Sequence, residues 1–182
     1  MQCHTGEAAL THAHSGTHFR NDVSCLSCHS PAAQKHSVRR DAEAKCASCH
    51  QKVAAEFAMP NHHPVPEHAM GCSDCHDPHG ARSKQRDLDL RQDRCVRCHT
   101  QYRGPFVFAH QAGRSDGCVA CHAPHGATNK RLLHQHTTQQ NCLQCHGDFP
   151  IFHDQTQGAV FTNCLNCHTE VHGSNHSRYL FR

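Results

Sequence analysis

Cys72-Ser73-Asp74-Cys75-His76 decides how the rest of the chain is read. Two cysteines three apart are followed at once by a histidine. The pattern recurs at Cys25, Cys28 and His29, at Cys46, Cys49 and His50, and at Cys95, Cys98 and His99. It returns at Cys118, Cys121 and His122, at Cys142, Cys145 and His146, and at Cys164, Cys167 and His168. C-x-x-C-H is the attachment signature of c-type haem. The two thiols add across the two vinyl groups of one porphyrin, and the histidine reaches the iron as proximal ligand. One copy is a weak signal, because C-x-x-C also serves zinc sites, redox pairs and disulfides. Seven copies, each with its histidine, are specific. Zinc ribbons have no use for a histidine after every pair.

The remaining cysteine of the 15 is Cys3, followed by His4. A cysteine just before Met1 would complete an eighth motif, so an eighth haem site cut at Met1 is expected here. Haem is attached to such motifs outside the cytoplasm, so a secretory segment is expected to have been removed or to lie upstream.

A chain of 182 residues would ordinarily make one domain, and a single multihaem domain over residues 1–182 is expected. An ordinary core is out of reach. There is no Trp, aromatics are 5% and the mean hydropathy is −0.73, so without cofactors the composition approaches that of a disordered chain. Large apolar haem rings would supply the missing interior, and covalent attachment and ligation the missing staples. The formal charge of +3 is offset by propionates. Each ferric bis-histidine haem adds one net negative charge and each ferrous haem two. The Arg and Lys residues are therefore read as propionate partners rather than as a nucleic-acid surface.

Along the chain, Gln51–Met59 reads as a short helix ended by Pro60. Asn61–Pro66 reads as extended and proline-stiffened. CSDCHDPHG (72–80) and CVACHAPHG (118–126) are near copies. Histidine, a gap, CxxCH-x-PHG, a gap and CxxCH describe both 63–99 and 110–146, an internal two-haem repeat. Successive motifs start 21 to 26 residues apart, which leaves room for short helices and loops only. The expected fold is mostly irregular with short α-helices, haems forming the core and almost no β-sheet.

Of 23 histidines, eight follow a motif cysteine, counting His4. The rest are a surplus of sixth ligands, whereas an enzyme haem needs an open iron position. His79 and His125 both stand three residues after a proximal ligand. Neither can bind its own motif's haem, because axial ligands occupy opposite faces of the ring, so each is expected to reach a neighbouring haem. His63 and His110 also stand in matching places.

HHPVPEHAMGCSDCHDPHG, GPFVFAHQAGRSDGCVACHAPHG and the closing CLNCHTEVHGSN resemble the MtrA/DmsE family of decahaem cytochromes. The resemblance runs from about Asp22 to Asn175. It implies a periplasmic electron-transfer wire of bis-histidine haems, not an enzyme, associated with the outer membrane. The implied partners are an outer-membrane β-barrel porin, an outer-face multihaem cytochrome, and periplasmic or inner-membrane electron-transfer proteins. The distal ligands it implies are His63, His79, His110, His125 and His172, with His14 (in HSG), His36 and His153 completing a set of eight. Which of His12, His14 and His18 ligates iron stays open on the sequence. The haem count departs from the family, being two short of ten even with the Cys3-His4 site. Two other readings are a soluble periplasmic shuttle or haem-filament subunit, and a multihaem reductase of a small oxyanion. No stretch approaches the roughly 20 apolar residues of a membrane helix.

Overall fold

The computed structural model describes residues 14, 16–29, 42–80, 94–147, 153 and 163–182. Cys3, His4, His12 and His36 lie outside the described residues. The chain divides into two compact units, one of Met1–Ala55 with Pro64–Asp87, the other of Glu56–His63 with Leu88–Arg182.

In the first unit, short helices stand almost alone. They are α1 (Thr17–Arg20), α2 (Cys25–Cys28), α3 (Ala42–Ala47) and α5 (Cys72–Cys75). Helix α4 (Gln51–Phe57) is the expected Gln51–Met59 helix, closing two residues early with the Met59 N–H on the Glu56 carbonyl at 3.0 Å. Isolated helices of one or two turns are marginal in water, so propensity does not account for them. Four of the five run into or directly follow a C-x-x-C-H motif.

The second unit holds the regular pairing. Strand β1 (Asn61–His62) runs antiparallel to β3 (Gly126–Ala127), with Asn61 opposite Ala127 and His62 opposite Gly126. Strand β2 (Phe108–Ala109) runs antiparallel to β4 (Gly173–Ser174), with Phe108 opposite Ser174 and Ala109 opposite Gly173. The register is the same. In each ladder one strand ends just before a spare histidine, His63 or His110. Its partner starts just after another, His125 or His172. Helices α6 (Gln111–Ser115) and α7 (Thr138–Leu143) and several 3₁₀ turns fill the rest. Helix α7 starts with a capping box: Gln140 N–H donates to Thr137 Oγ1 at 3.1 Å and Thr137 N–H to Gln140 Oε1 at 3.2 Å.

The two ladders explain the glycine after each of these histidines. A Cβ on Gly126 would stand 1.9 Å from the Glu56 carbonyl oxygen. A Cβ on Gly173, whose φ is +148°, would stand 2.3 Å from the Phe106 ring. Only glycine permits both approaches.

The protein core is nearly empty. Among the described residues the buried apolar side chains are Val65, Val96 and Ala127. Among the described residues the fold is mostly irregular with short helices and very little sheet, as the sequence led one to expect; the two minimal ladders are what the structure adds.

Candidate haem-binding sites

Every C-x-x-C-H motif makes the same turn. The histidine N–H donates to the carbonyl of the first cysteine at 2.8–3.1 Å in all seven, from His29 on Cys25 to His168 on Cys164. This is an i to i−4 helical bond, which puts positions i, i+3 and i+4 on one face. Both sulfurs and the imidazole therefore leave the backbone from the same side. That is the arrangement one porphyrin needs, with two thioether anchors and a ligand below the iron.

The imidazoles meet in pairs. Two rings that bind one metal from opposite sides, each through a nitrogen at about 2 Å, have centres roughly 6 Å apart. In the first unit His18 faces His50 at 5.9 Å and His29 faces His79 at 5.8 Å. In the second, His63 faces His99 at 6.2 Å and His110 faces His146 at 6.1 Å. His122 faces His172 at 6.3 Å, and His153 faces His168 at 5.9 Å. Each pair joins one motif histidine to one spare histidine. The near-constant separation fits a single metal between each two rings. The residues present thus fit haem c.

Of the spare histidines named from the sequence, His63, His79, His110, His153 and His172 each face a motif histidine. His14 instead lies edge-on to Phe19, with ring centres 4.7 Å apart. The ring opposite His50 is His18. His125 packs 5.4 Å from Phe57 and donates from Nδ1 to Glu56 Oε2 at 2.9 Å. The motif histidine His76 follows α5 with the same turn as the others. His62 and His134 are held by the backbone, His62 Nδ1 on the Met59 carbonyl at 2.6 Å and His134 Nε2 on the Val119 carbonyl at 2.9 Å.

Backbone carbonyls also orient the paired rings. His122 Nδ1 donates to the Arg131 carbonyl at 2.7 Å and His168 Nδ1 to the Tyr179 carbonyl at 2.6 Å. His18 Nδ1 donates to the Pro78 carbonyl at 3.0 Å, and His63 Nδ1 to the Pro124 carbonyl. With Nδ1 committed as a donor, Nε2 is left as the lone-pair nitrogen that binds metal. Burial first, and then the neighbouring His146, lower the pKa of His110. Burial, then His122 and His110, lower that of His172. Both shifts favour the neutral imidazole, the form that ligates iron.

Cysteines of consecutive motifs lie near enough to perturb one another: Cys46 and Cys72 in the first unit, Cys95 and Cys118, and Cys142 and Cys164, in the second. As free thiols these groups are perturbed. Burial and the neighbouring Cys72 push Cys46 up to about 11, and burial with Cys164 does the same to Cys142. The neighbouring Cys95 draws Cys118 down. Once alkylated by porphyrin the sulfurs no longer titrate, but they remain neighbours.

The doubled CXXCH motif family matches residues 62–104 and 110–150. The multihaem cytochrome MtrA of Shewanella baltica is 37% identical over 97% of this chain. The chain is similar to that multihaem cytochrome over nearly all of its own length. It spans 57% of that relative's length. The two doubled-motif matches enclose the 63–99 and 110–146 repeats, and each takes in two C-x-x-C-H motifs. The chain thus carries its repeat both in motif order and in the matched ladders.

Proposed function

We propose that this chain carries electrons along a line of bis-histidine c-type haems and performs no substrate chemistry. One observation carries the reading: attachment cysteines of consecutive motifs are near enough to perturb one another, at Cys46 and Cys72, Cys95 and Cys118, and Cys142 and Cys164. Cofactors anchored on neighbouring sulfurs would have neighbouring edges, which is what electron passage needs and what isolated catalytic haems do not. Haem c supplies a one-electron couple at each site.

The residues of the chain do the rest. The cysteines fix where each cofactor sits. His29, His50, His99, His122, His146 and His168 provide proximal ligands, and His79, His18, His63, His172, His110 and His153 face them in that order. His76 is the proximal ligand of the remaining complete motif, and His125 reaches a haem other than that of Cys118 and Cys121. A haem iron held between two such imidazoles would have no position left for a substrate. Cys3 and His4 belong to an eighth site.

We place this activity on the periplasmic side of an outer-membrane conduit, with a β-barrel porin as sleeve. Its electron partners are an outer-face multihaem cytochrome and periplasmic or inner-membrane donors. Among the described residues no helix is long and apolar enough to cross a membrane. Irregular backbone exposed to lipid leaves its polar groups unsatisfied. A chain of this composition can work across a bilayer only inside another protein. The named relative, a multihaem cytochrome, supports the electron-carrying part.

Liposomes enclosing a reducible dye test the proposal. Cytochrome with porin should pass electrons from an external donor to the dye, and neither alone should do so. Conduction by the cytochrome alone would refute the need for a sleeve. Failure of the pair, with the free cytochrome still reducing soluble acceptors, would make it a shuttle.

A further inference from the structure

One hydrogen bond occurs twice in equivalent places, a third place matches them, and the electron-transfer reading does not use it. His18 Nδ1 donates to the carbonyl of Pro78, the residue before His79. His63 Nδ1 donates to the carbonyl of Pro124, the residue before His125. The β2–β4 register sets His110 in the matching place, beside the backbone of Val171, the residue before His172. In the first two copies the acceptor lies 60 and 61 residues ahead of the donor. In each place the first histidine is a spare one facing a motif histidine. In each, the carbonyl is joined by a single peptide bond to another spare histidine, the one in the H-G pair.

We infer that the carbonyls of Pro78, Pro124 and Val171 are positioning groups that hold one haem's distal imidazole to the distal ligand of a neighbouring haem. The inference rests on the axial reading above. Three features of the chain support it. Proline at 78 and 124 has a fixed φ, which narrows the directions its carbonyl can take. The β1–β3 and β2–β4 ladders share one register, which sets His63 beside Pro124-His125 and His110 beside Val171-His172 in the same way. Gly126 and Gly173 let the strands close that far.

The device has two effects. A carbonyl on Nδ1–H fixes the tautomer and makes the imidazole a stronger donor through Nε2. A stronger donor favours ferric over ferrous iron, so it lowers that haem's midpoint potential. The bond also ties distal ligands together. His18, opposite His50, is joined through Pro78 to His79, opposite His29. His110, opposite His146, is joined through Val171 to His172, opposite His122. Each tie is one hydrogen bond plus one peptide, so reorienting one distal ring must move the next.

The test uses reduced holoprotein with ¹⁵N-labelled histidine, observed by NMR on transfer into D₂O. In the wild type the Nδ1 protons of His18, His63 and His110 should exchange slowly, together with those of His122 and His168. Gly126→Ala forces the Pro124-His125 segment away from Glu56, so it should remove slow exchange at His63 while His18 and His110 stay slow, and raise one midpoint potential. All irons should stay low-spin. Gly147→Ala, with nothing within 4 Å of the added carbon, should change neither reading. Low-spin wild type with fast exchange at His18, His63 and His110 would overturn the inference even if the variant failed to fold. So would an unshifted set of potentials in a folded Gly126→Ala. Stoichiometric high-spin iron in the wild type would instead overturn the axial reading beneath it.

Discussion

The planes of the paired imidazoles differ from pair to pair, and that difference is measurable. His29–His79, His110–His146, His122–His172 and His153–His168 are nearly parallel, at 14°, 15°, 17° and 18°. His18–His50 and His63–His99 are strongly crossed, at 58° and 65°. Parallel planes donate into the same iron d orbital and split the π pair. Crossed planes donate into both and leave it nearly degenerate. Frozen oxidised protein should therefore show two low-spin EPR classes, a rhombic one and a strongly anisotropic one. A single class would contradict the ring geometry. His18 gives a second residue-scale prediction. His18→Ala should create one high-spin haem, whereas His14→Ala should create none. High-spin iron from His14→Ala instead would return the ligand to the HSG histidine. Spacing alone favours His14, which precedes His50 by the same interval that separates His63 from His99 and His110 from His146. The structure selects His18, whose Nδ1 finds Pro78 as His63 finds Pro124. No local pattern around His18 announces this, because the acceptor lies far along the chain.

At the scale of elements, the C-x-x-C-H turns were readable because their geometry is set within five residues. The ladders were not. Strands of two residues carry no periodicity, and their pairing joins segments far apart in sequence. The repeated H-G pair was the visible trace, but what the glycine avoids, the Glu56 carbonyl or the Phe106 ring, is known only from the fold. Strand β4 also anchors the C-terminal segment. Ser174 is fully buried. Its hydroxyl donates to the Phe181 carbonyl at 3.1 Å and accepts from the His176 and Ser177 N–H groups at 3.2 and 3.1 Å. The same segment brings the Tyr179 carbonyl to His168 Nδ1 and the Phe181 ring to 4.9 Å from the His168 ring. Ser174→Ala strands three backbone groups, at a cost of about 1–3 kcal/mol for a buried unsatisfied group. The expected outcome is faster proteolysis after Arg178 and a raised potential at one haem, with the others unchanged. Protease resistance equal to the wild type would show that the serine is not the anchor.

At the scale of the molecule, the question is what the polypeptide can do without its cofactors. Val65, Val96 and Ala127 are the buried apolar side chains among the described residues, while Phe19, Leu26, Val107, Tyr179 and others stand exposed, Val107 at 70%. At about 25 cal/mol per Å² of apolar surface buried, so small an interior cannot offset roughly 1 kcal/mol or more of backbone entropy per residue. The exposed apolar side chains instead have haem faces to cover, and the ligand pairs tie distant segments as disulfides would. Folding is therefore expected to need haem attachment, as in small metal-dependent domains. A chain with all fifteen cysteines replaced by serine cannot be alkylated by porphyrin. It should give far-UV circular dichroism without defined helical minima, no cooperative thermal transition, and rapid digestion by trypsin throughout. A cooperative transition in that cysteine-free chain would mean that the polypeptide carries a core of its own. The haems would then decorate a fold that they do not build.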